Sequence, residues 1–111
     1  MIIEYKTKEL EKCASDIRYA TKTLGADCAR RLHSRLTVLA NAETFETIRN
    51  TPGRFHELKD NRKGQWSMDL VHPYRLIITP LTQPIPTDKD GKYIWTEIKD
   101  ALIVEIVDYH T

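Results

Sequence analysis

The hydrophobic pattern predicts helices in the first half of the chain. Residues 8–25, KELEKCASDIRYATKTLG, repeat apolar positions at roughly helical spacing and end at Gly25, a residue type that commonly terminates helices. Residues 26–42, ADCARRLHSRLTVLANA, form the clearest helix, because the apolar positions step by three and four and build one stripe. That stripe consists of Ala29, Leu32, Leu36 and Leu39, and three arginines beside it are expected to face water, namely Arg30, Arg31 and Arg35.

The second half of the chain carries strand patterns separated by turn signals. Residues 65–71, QWSMDLV, alternate between an apolar side with Trp66, Met68 and Leu70 and a polar side with Gln65, Ser67 and Asp69. Residues 74–80, YRLIITP, predict a further strand. Residues 92–98 and 101–110, KYIWTEI and ALIVEIVDYH, predict a final hairpin that turns at Lys99 and Asp100.

The order of elements predicts one domain of the α+β class spanning residues 1–111. An N-terminal strand, MIIEY, is placed at an edge of the sheet, and two to three helices pack on a mainly antiparallel sheet of four to five strands. Helices are expected to cover one face of this sheet, which leaves the other face open to a partner.

Composition excludes several classes of protein. Lys and Arg total 17 against 16 Asp and Glu, so the net charge of +1 gives no global argument for a nucleic-acid or membrane partner. No apolar run reaches the roughly 18 residues of a membrane span, and no signal peptide is recognisable, so a cytoplasmic protein is expected. Cys13 and Cys28 are the only cysteines and lack metal-binding spacing, so reduced structural thiols are expected and neither a metal nor a cofactor is.

Positive charge is concentrated locally between residues 54 and 75. This stretch holds five basic and three acidic residues, with two histidines besides. A solvated, charged turn explains such an excess by itself, but the same residues could contact phosphate groups. The basic members are Arg54, Lys59, Arg62, Lys63 and Arg75, and the histidines are His56 and His72.

The chain ends in a strand that runs into three chemically versatile residues, Asp108, Tyr109 and His110. Strand alternation puts Asp108 and His110 on one face and Tyr109 on the other, although this parity loosens at a twisting strand end. If these residues meet His56, Lys59 and Arg75, the set suits RNA cleavage through the 2′-hydroxyl. That reaction requires a base, an acid and positive charge at the phosphorane-like transition state. Histidine is the usual acid or base, because its reference pKa of about 6.5 lies near working pH.

Two segments carry a resemblance to a known family. RFHELKDNRKGQWSMDLVHPYRLIITP, residues 54–80, and the terminal DYH resemble the HigB-like toxins of the RelE/ParE superfamily, the killer proteins of bacterial type II toxin–antitoxin pairs. The shared features are H-x-L-K, a charged turn, G-x-W-S, a strand with an aromatic residue before arginine, and the D-Y-H end. The resemblance covers about half of the chain directly, and it implies a RelE-like fold and cleavage of mRNA in the ribosomal A site.

The resemblance also implies roles for individual residues. His56 would act as a base or contact phosphate, Lys59 would stabilise the scissile phosphate, and Arg75 would neutralise charge. Asp108 would orient His110, Tyr109 would position a base, and the assignment of acid and base between the two histidines stays open. Arg54, Arg62 and Lys63 are candidate contacts to RNA or the ribosome.

The implied partners are the ribosome with its mRNA and a cognate HigA-like antitoxin of the helix-turn-helix type, which would also bind operator DNA. Residues 80–100, PLTQPIPTDKDGKYIWTEIKD, are longer than the hairpin of compact family members and could reshape docking to the ribosome or antitoxin. Alternative functions are an inactive toxin homologue, a gyrase inhibitor of the ParE type, or a general RNA-binding domain. The near-neutral charge argues against the RNA-binding domain, and gyrase inhibition does not require these histidines.

Other aromatic and histidine residues are expected to be structural. His33 lies next to the stripe of the long helix, and His72 precedes a proline and is expected to shape a turn. Trp66, Trp95 and Tyr74 are expected to pack in the core or in a hairpin rather than to stack on nucleobases.

Overall fold

The computed structural model describes residues 1–108, which form a five-stranded mixed sheet with helices on one face. The strands lie in the order β1-β5-β4-β3-β2. The elements are β1 (Ile2–Tyr5), α1 (Lys8–Ser15), α2 (Ile17–Leu24), α3 (Ala26–Asn41), α4 (Phe45–Ile48), β2 (His56–Glu57), β3 (Trp66–Asp69), β4 (Tyr74–Thr79) and β5 (Asp100–Asp108), with 3-10 turns at Asp60–Arg62 and Trp95–Glu97. The predicted α+β class is therefore confirmed.

Local capping residues divide the helical half of the chain. The Asp16 carboxylate accepts hydrogen bonds from the backbone N–H groups of Arg18 and Tyr19, so it caps α2 and separates this helix from α1. Gly25, at a φ of 88°, ends α2 in a backbone conformation that side chains rarely adopt. The predicted apolar stripe of α3 is buried against the sheet and anchors this helix in the core.

Arg35 departs from the sequence prediction, which placed it in water. Only 8% of this residue is exposed, and its Nε donates a hydrogen bond of 2.9 Å to the backbone carbonyl of Asp69. The stripe pattern misplaced Arg35, because a guanidinium can be buried when its N–H groups find carbonyl partners and its aliphatic stem packs on apolar surface. Arg30 and Arg31 are exposed, as predicted.

The sheet combines antiparallel and parallel pairing. β2, β3, β4 and β5 follow one another with antiparallel neighbours, while β1 pairs in parallel with β5 at the edge where it was expected. The predicted final hairpin is wrong, because β5 lies between β4 and β1 and so has no free edge. Residues 95–97 instead form a 3-10 turn, and Trp95 packs edge-to-face against Trp66 with ring centroids 5.9 Å apart.

A β-bulge interrupts the pairing of β4 with β5. Ile78 lies opposite Ile103, whereas its neighbour Ile77 lies opposite Glu105, so Val104 is the additional residue in β5. Beyond the bulge, Ile106 faces the helix-covered core opposite Leu76, while Glu105 and Val107 face the other side.

The remaining sequence predictions concern the two cysteines and membrane-spanning helices. Cys13 and Cys28 are free and buried, and burial raises the pKa of the Cys13 thiol, which disfavours the reactive thiolate. Within residues 1–108, no helix is sufficiently long and apolar to cross a membrane.

Candidate functional site

The sheet face opposite the helices carries charged and polar side chains. The strand registers place two rows of residues across this face. One row runs through His56, Ser67, Ile77 and Glu105, and the other runs through Asp69, Arg75 and Val107. We call this surface the polar face, and it brings together the predicted site residues His56 and Arg75.

Asp69 connects two arginines on the polar face. One carboxylate oxygen accepts a hydrogen bond of 2.6 Å from Arg54 Nε, and the other accepts one of 3.1 Å from Arg54 Nη2. Arg75 Nε lies 3.5 Å from the same carboxylate, on the facing residue of β4. The hydrogen bond from Arg54 holds the pKa of Asp69 below its usual value against the opposing effect of burial, and the charges of Arg54, Arg75 and His56 lower it further. Two guanidinium groups are thus fixed around one carboxylate, with net positive charge.

The backbone of Asp69 is fixed as firmly as its side chain. The carbonyl of Asp69 accepts the hydrogen bond from buried Arg35, and its N–H donates one of 2.7 Å to the carbonyl of Gly53. Gly53 has a φ of 116°, and a Cβ there would lie 2.6 Å from Arg35 Nε. The helix layer therefore positions the charged cluster on the opposite face through Gly53 and Arg35.

The tautomer of His56 follows from its hydrogen bond. Its Nδ1 lies 2.6 Å from the backbone carbonyl of Arg54, and a carbonyl only accepts, so Nδ1 carries the proton. In the neutral ring Nε2 then holds the lone pair and can accept a proton from a substrate. His56 is half-buried and lies two strands from Arg75, which corresponds to about 10 Å across the sheet.

The predicted RNA contact Arg62 crosses from the turn after β2 to the polar face. Its Nη1 donates hydrogen bonds to Gln65 at 2.9 Å and to Glu105 at 3.4 Å. These contacts bind the turn to the interior strand β5 and place a further cation beside the His56 row.

Lys59 and Lys63 lie in a different place from the other predicted site residues. They line a cavity of about 540 Å³ at the edge strand β2, which we call the β2 groove. Glu57 also lines this groove, and its side chain points to the side of β2 opposite His56. Lys59 is thus not part of the cluster around Asp69, although only two residues separate it from His56 in the chain.

The predicted C-terminal triad is described only in part. Asp108 ends β5 opposite Tyr74, so strand alternation assigns it to the face of Leu76 rather than to that of Arg75. Tyr109 and His110 lie outside the described residues. Whether the three act together stays a prediction.

Sequence reasoning missed Asp69 as the organising residue of the polar face. Its position on the polar side of β3, opposite the arginine of β4, was visible as alternation in QWSMDLV and YRLIITP. Its bond to Arg54 was not visible, because that contact depends on the left-handed backbone at Gly53 and Arg54, whose φ values are 116° and 50°.

Replacing Asp69 with asparagine should destabilise the protein in a pH-dependent way. Because the folded-state pKa of Asp69 is lowered, its stabilisation is fully present above the unfolded pKa of about 4 and is lost as pH falls through the folded pKa. We expect Asp69→Asn to lower the free energy of unfolding by about 1–2 kcal/mol at pH 7, since the pair with Arg54 is partly exposed. The deficit should shrink toward pH 3, as followed by urea unfolding.

The matched control is Asp27→Asn, which removes an exposed ion pair with Arg30 on α3. We expect less than about 0.5 kcal/mol at either pH for this variant. An Asp69→Asn deficit that stays constant between pH 7 and pH 3 would contradict the assigned role of the carboxylate.

The fold is similar to that of several solved toxin structures. The YoeB/ParE toxin from Agrobacterium tumefaciens matches with a TM-score of 0.61 at 10% identity, over 99% of this chain and 100% of that one. The YoeB–YefM complex from Staphylococcus aureus matches with a TM-score of 0.56 at 17% identity, and the YoeB dimer from the same organism with 0.57 at 17%. Each of these two matches covers 100% of this chain and 98% of the other.

At these identities the likeness establishes a shared fold, that of YoeB- and ParE-type toxins of toxin–antitoxin systems. No protein-family model matches the sequence, and neither does any curated protein.

Proposed function

We propose that this chain is the toxin of a bacterial type II toxin–antitoxin pair and an endoribonuclease that cuts mRNA in the ribosomal A site. The observation that carries the proposal is the polar face, which holds both His56 and two arginines that Asp69 keeps in place. A histidine with an available Nε2 on the same surface as fixed guanidinium groups suits phosphodiester cleavage. The toxin fold and the HigB-like motifs support the same reading.

The proposed reaction needs no external nucleophile. The 2′-oxygen of the substrate attacks the adjacent phosphorus, its proton passes to a base, and the bond from phosphorus to the 5′-oxygen breaks as that oxygen receives a proton. Arg54 and Arg75 would stabilise the charge that develops on the phosphorane oxygens. His56 Nε2 would exchange one of the two protons, and His110 would exchange the other.

The remaining site residues are carried by the resemblance. Lys59 would contact the scissile phosphate from the β2 groove, Asp108 would orient His110, and Tyr109 would position a base. Arg62 and Lys63 would contact the RNA or the ribosome from the turn after β2.

The proposed partners follow from the same system. One of the similar structures is a toxin bound to its YefM antitoxin, and we propose an antitoxin for this chain as well, of the HigA-like helix-turn-helix type. Operator DNA would be reached only through that antitoxin. Because the substrate is ribosome-bound mRNA, the proposed site of action is the cytoplasm.

Controlled expression in a bacterial host tests the proposal. We expect growth to stop and primer extension on mRNA from translating ribosomes to show new cuts at A-site codons. Intact mRNA together with altered plasmid supercoiling or DNA breaks would instead identify a gyrase inhibitor. No effect on growth, mRNA or DNA would identify an inactive homologue.

Two substitutions test the residues that the resemblance contributes. Lys59→Ala and His110→Ala should each relieve growth arrest, because the first removes a phosphate contact and the second removes a proton-transfer group. Thermal unfolding of Lys59→Ala should be nearly unchanged, since Lys59 is exposed. If the His110→Ala protein stays fully toxic with unaltered mRNA cuts, the terminal histidine has no catalytic role.

A further inference from the structure

The β2 groove combines an arginine that stacks on a tryptophan ring with several lysines. It is bounded by the edge strand β2, by the end of α4 and by residues 91–96 of the long segment that precedes β5. Its lining includes the cations Arg49, Lys59, Lys63 and Lys92 and the aromatic rings of Tyr93 and Trp95.

Arg49 is held as a stacked platform in this groove. Its guanidinium lies 3.7 Å from the centroid of the Trp95 ring, and its Nε donates a hydrogen bond of 2.5 Å to Glu46. The indole N–H of Trp95 in turn donates one of 2.6 Å to Glu57. The Arg49 side chain is nevertheless 47% exposed, so one face of the guanidinium is available to a ligand. A planar cation fixed in this way loses little conformational entropy when a flat ring stacks on it.

Three lysines around this platform lack carboxylate partners. Within residues 1–108, Lys59, Lys63 and Lys92 are exposed and form no ion pair. The lining also holds three carboxylates, Glu46, Glu57 and Asp60, of which Glu46 pairs with Arg49 and Glu57 accepts from the neutral indole of Trp95. Four cations against three carboxylates leave a net charge of +1 beside the stacking surface, which matches a ligand made of anionic groups and flat rings.

We propose that the β2 groove binds the single-stranded RNA segment next to the cleaved nucleotide, with a base on Arg49 and backbone phosphates on Lys63 and Lys92. Bases commonly stack on arginine planes, and lysines along a groove follow the phosphate backbone of single strands. An acidic peptide would satisfy the lysines but would leave the stacked platform unused. The inference rests on the proposed RNA-cleaving function, and it gives the long segment before β5 the role of a substrate-binding wall.

The position of the groove fits a continuous path for RNA. His56 faces the polar face, whereas Glu57 faces the groove, and β2 between them is a two-residue edge strand. RNA that leaves the polar face across this edge would therefore enter the groove directly, where Lys59 is one of the lining residues.

Binding of uncleavable RNA tests this inference. The probe is a fluorescein-labelled, 2′-O-methyl oligonucleotide of about ten nucleotides, a typical length for single-strand sites, whose methylated hydroxyls cannot attack phosphorus. We expect Lys63→Ala and Lys92→Ala each to weaken binding roughly 3–10-fold in fluorescence anisotropy and to reduce the slope of log K against log salt by about 0.7. Arg49→Lys keeps the charge but loses the plane, and it should weaken binding at least about 5-fold.

An internal control and a matched variant accompany these measurements. The protein has two tryptophans, so in NMR the indole N–H signal of Trp95, which lines the groove, should shift on RNA addition, while that of Trp66, which does not line it, should move far less. Lys22→Ala, on the exposed surface of α2, removes the same charge away from the groove and should leave the affinity unchanged.

The possible outcomes separate this inference from the proposed function. Wild-type affinity in all three groove variants, or an unmoved Trp95 signal, overturns the groove while ribosomal mRNA cleavage can still be measured independently. Equal binding of a polyglutamate peptide with the same dependence on Lys63 and Lys92 overturns RNA in favour of an acidic protein segment. If the groove binds RNA as expected but ribosomal mRNA stays intact, the proposed cleavage fails and the binding site stands.

Discussion

Replacing His56 with alanine should slow mRNA cleavage on ribosomes by about 10²–10⁴-fold, the usual loss when a general acid or base is removed. The reason lies in one hydrogen bond, because the carbonyl of Arg54 fixes the proton on Nδ1 and leaves Nε2 for the substrate. His72 also lines a pocket with Arg54, Asp69 and Arg75, so His72→Ala serves as the matched control and should cleave near the wild-type rate. Single-turnover cleavage of mRNA on purified ribosomes measures the effect separately from binding.

A second variant at the same position separates proton transfer from structure. The side-chain amide of asparagine can donate to the Arg54 carbonyl as Nδ1 does, but it has no titratable nitrogen. His56→Asn should therefore be as slow as His56→Ala while retaining the unfolding free energy of the wild type. Near-normal cleavage by His56→Asn would show that the histidine only supports the fold.

Replacing Gly53 with alanine should cause the largest loss of stability, roughly 3 kcal/mol in the free energy of unfolding. Two costs combine at this position. The φ of 116° is strained for any residue with a side chain, and the new Cβ would lie 2.6 Å from Arg35 Nε. Arg35 would have to move and would lose its bond to the Asp69 carbonyl. Urea unfolding at pH 7 measures the loss.

Gly91 offers a matched control, because it has a similar positive φ of 82° with no atom within 4 Å of an added Cβ. Gly91→Ala should therefore report the backbone strain alone, about 1 kcal/mol. If both variants lose the same stability, the contact between Gly53 and Arg35 contributes nothing.

Elements that bury a regular face could be predicted from the sequence. The stripe of α3 and the alternation of β3 each repeat at the period of their element, so burial of one side follows from the order of residues. The break between α1 and α2 at Asp16 was missed, because a single capping side chain decides it without interrupting the apolar pattern.

Pairing between distant segments could not be predicted in the same way. Residues 92–98 look like a strand because they are rich in β-branched and aromatic residues, yet Tyr93 and Trp95 pack on Trp66 as part of an aromatic cluster. β5 pairs instead with β4 and with the N-terminal strand β1, a parallel contact for which local sequence carries no signal.

In the candidate site, too, positions within regular strands could be predicted, whereas contacts between distant segments could not. His56 and Arg75 were predicted to meet, and the register of β2, β3 and β4 places both on the polar face. Lys59 was assigned to the same pocket, but it lies in the β2 groove, because it follows the two-residue strand β2 and begins the turn at Asp60–Arg62. The platform of Arg49 on Trp95 joins residues 46 positions apart in the chain, a contact beyond the reach of periodicity.

The extra residue Val104 in β5 has an evolutionary consequence. Because it shifts the alternation of every later residue in the strand, losing or gaining one residue between Ile103 and Asp108 would exchange the outward and inward side chains. Ile106 would then turn to water and Glu105 toward the core. Descendants of this gene should therefore vary in length at the exposed turn of residues 87–91 but tolerate no single-residue insertion or deletion in this short stretch, a pattern that natural sequence variation can reveal.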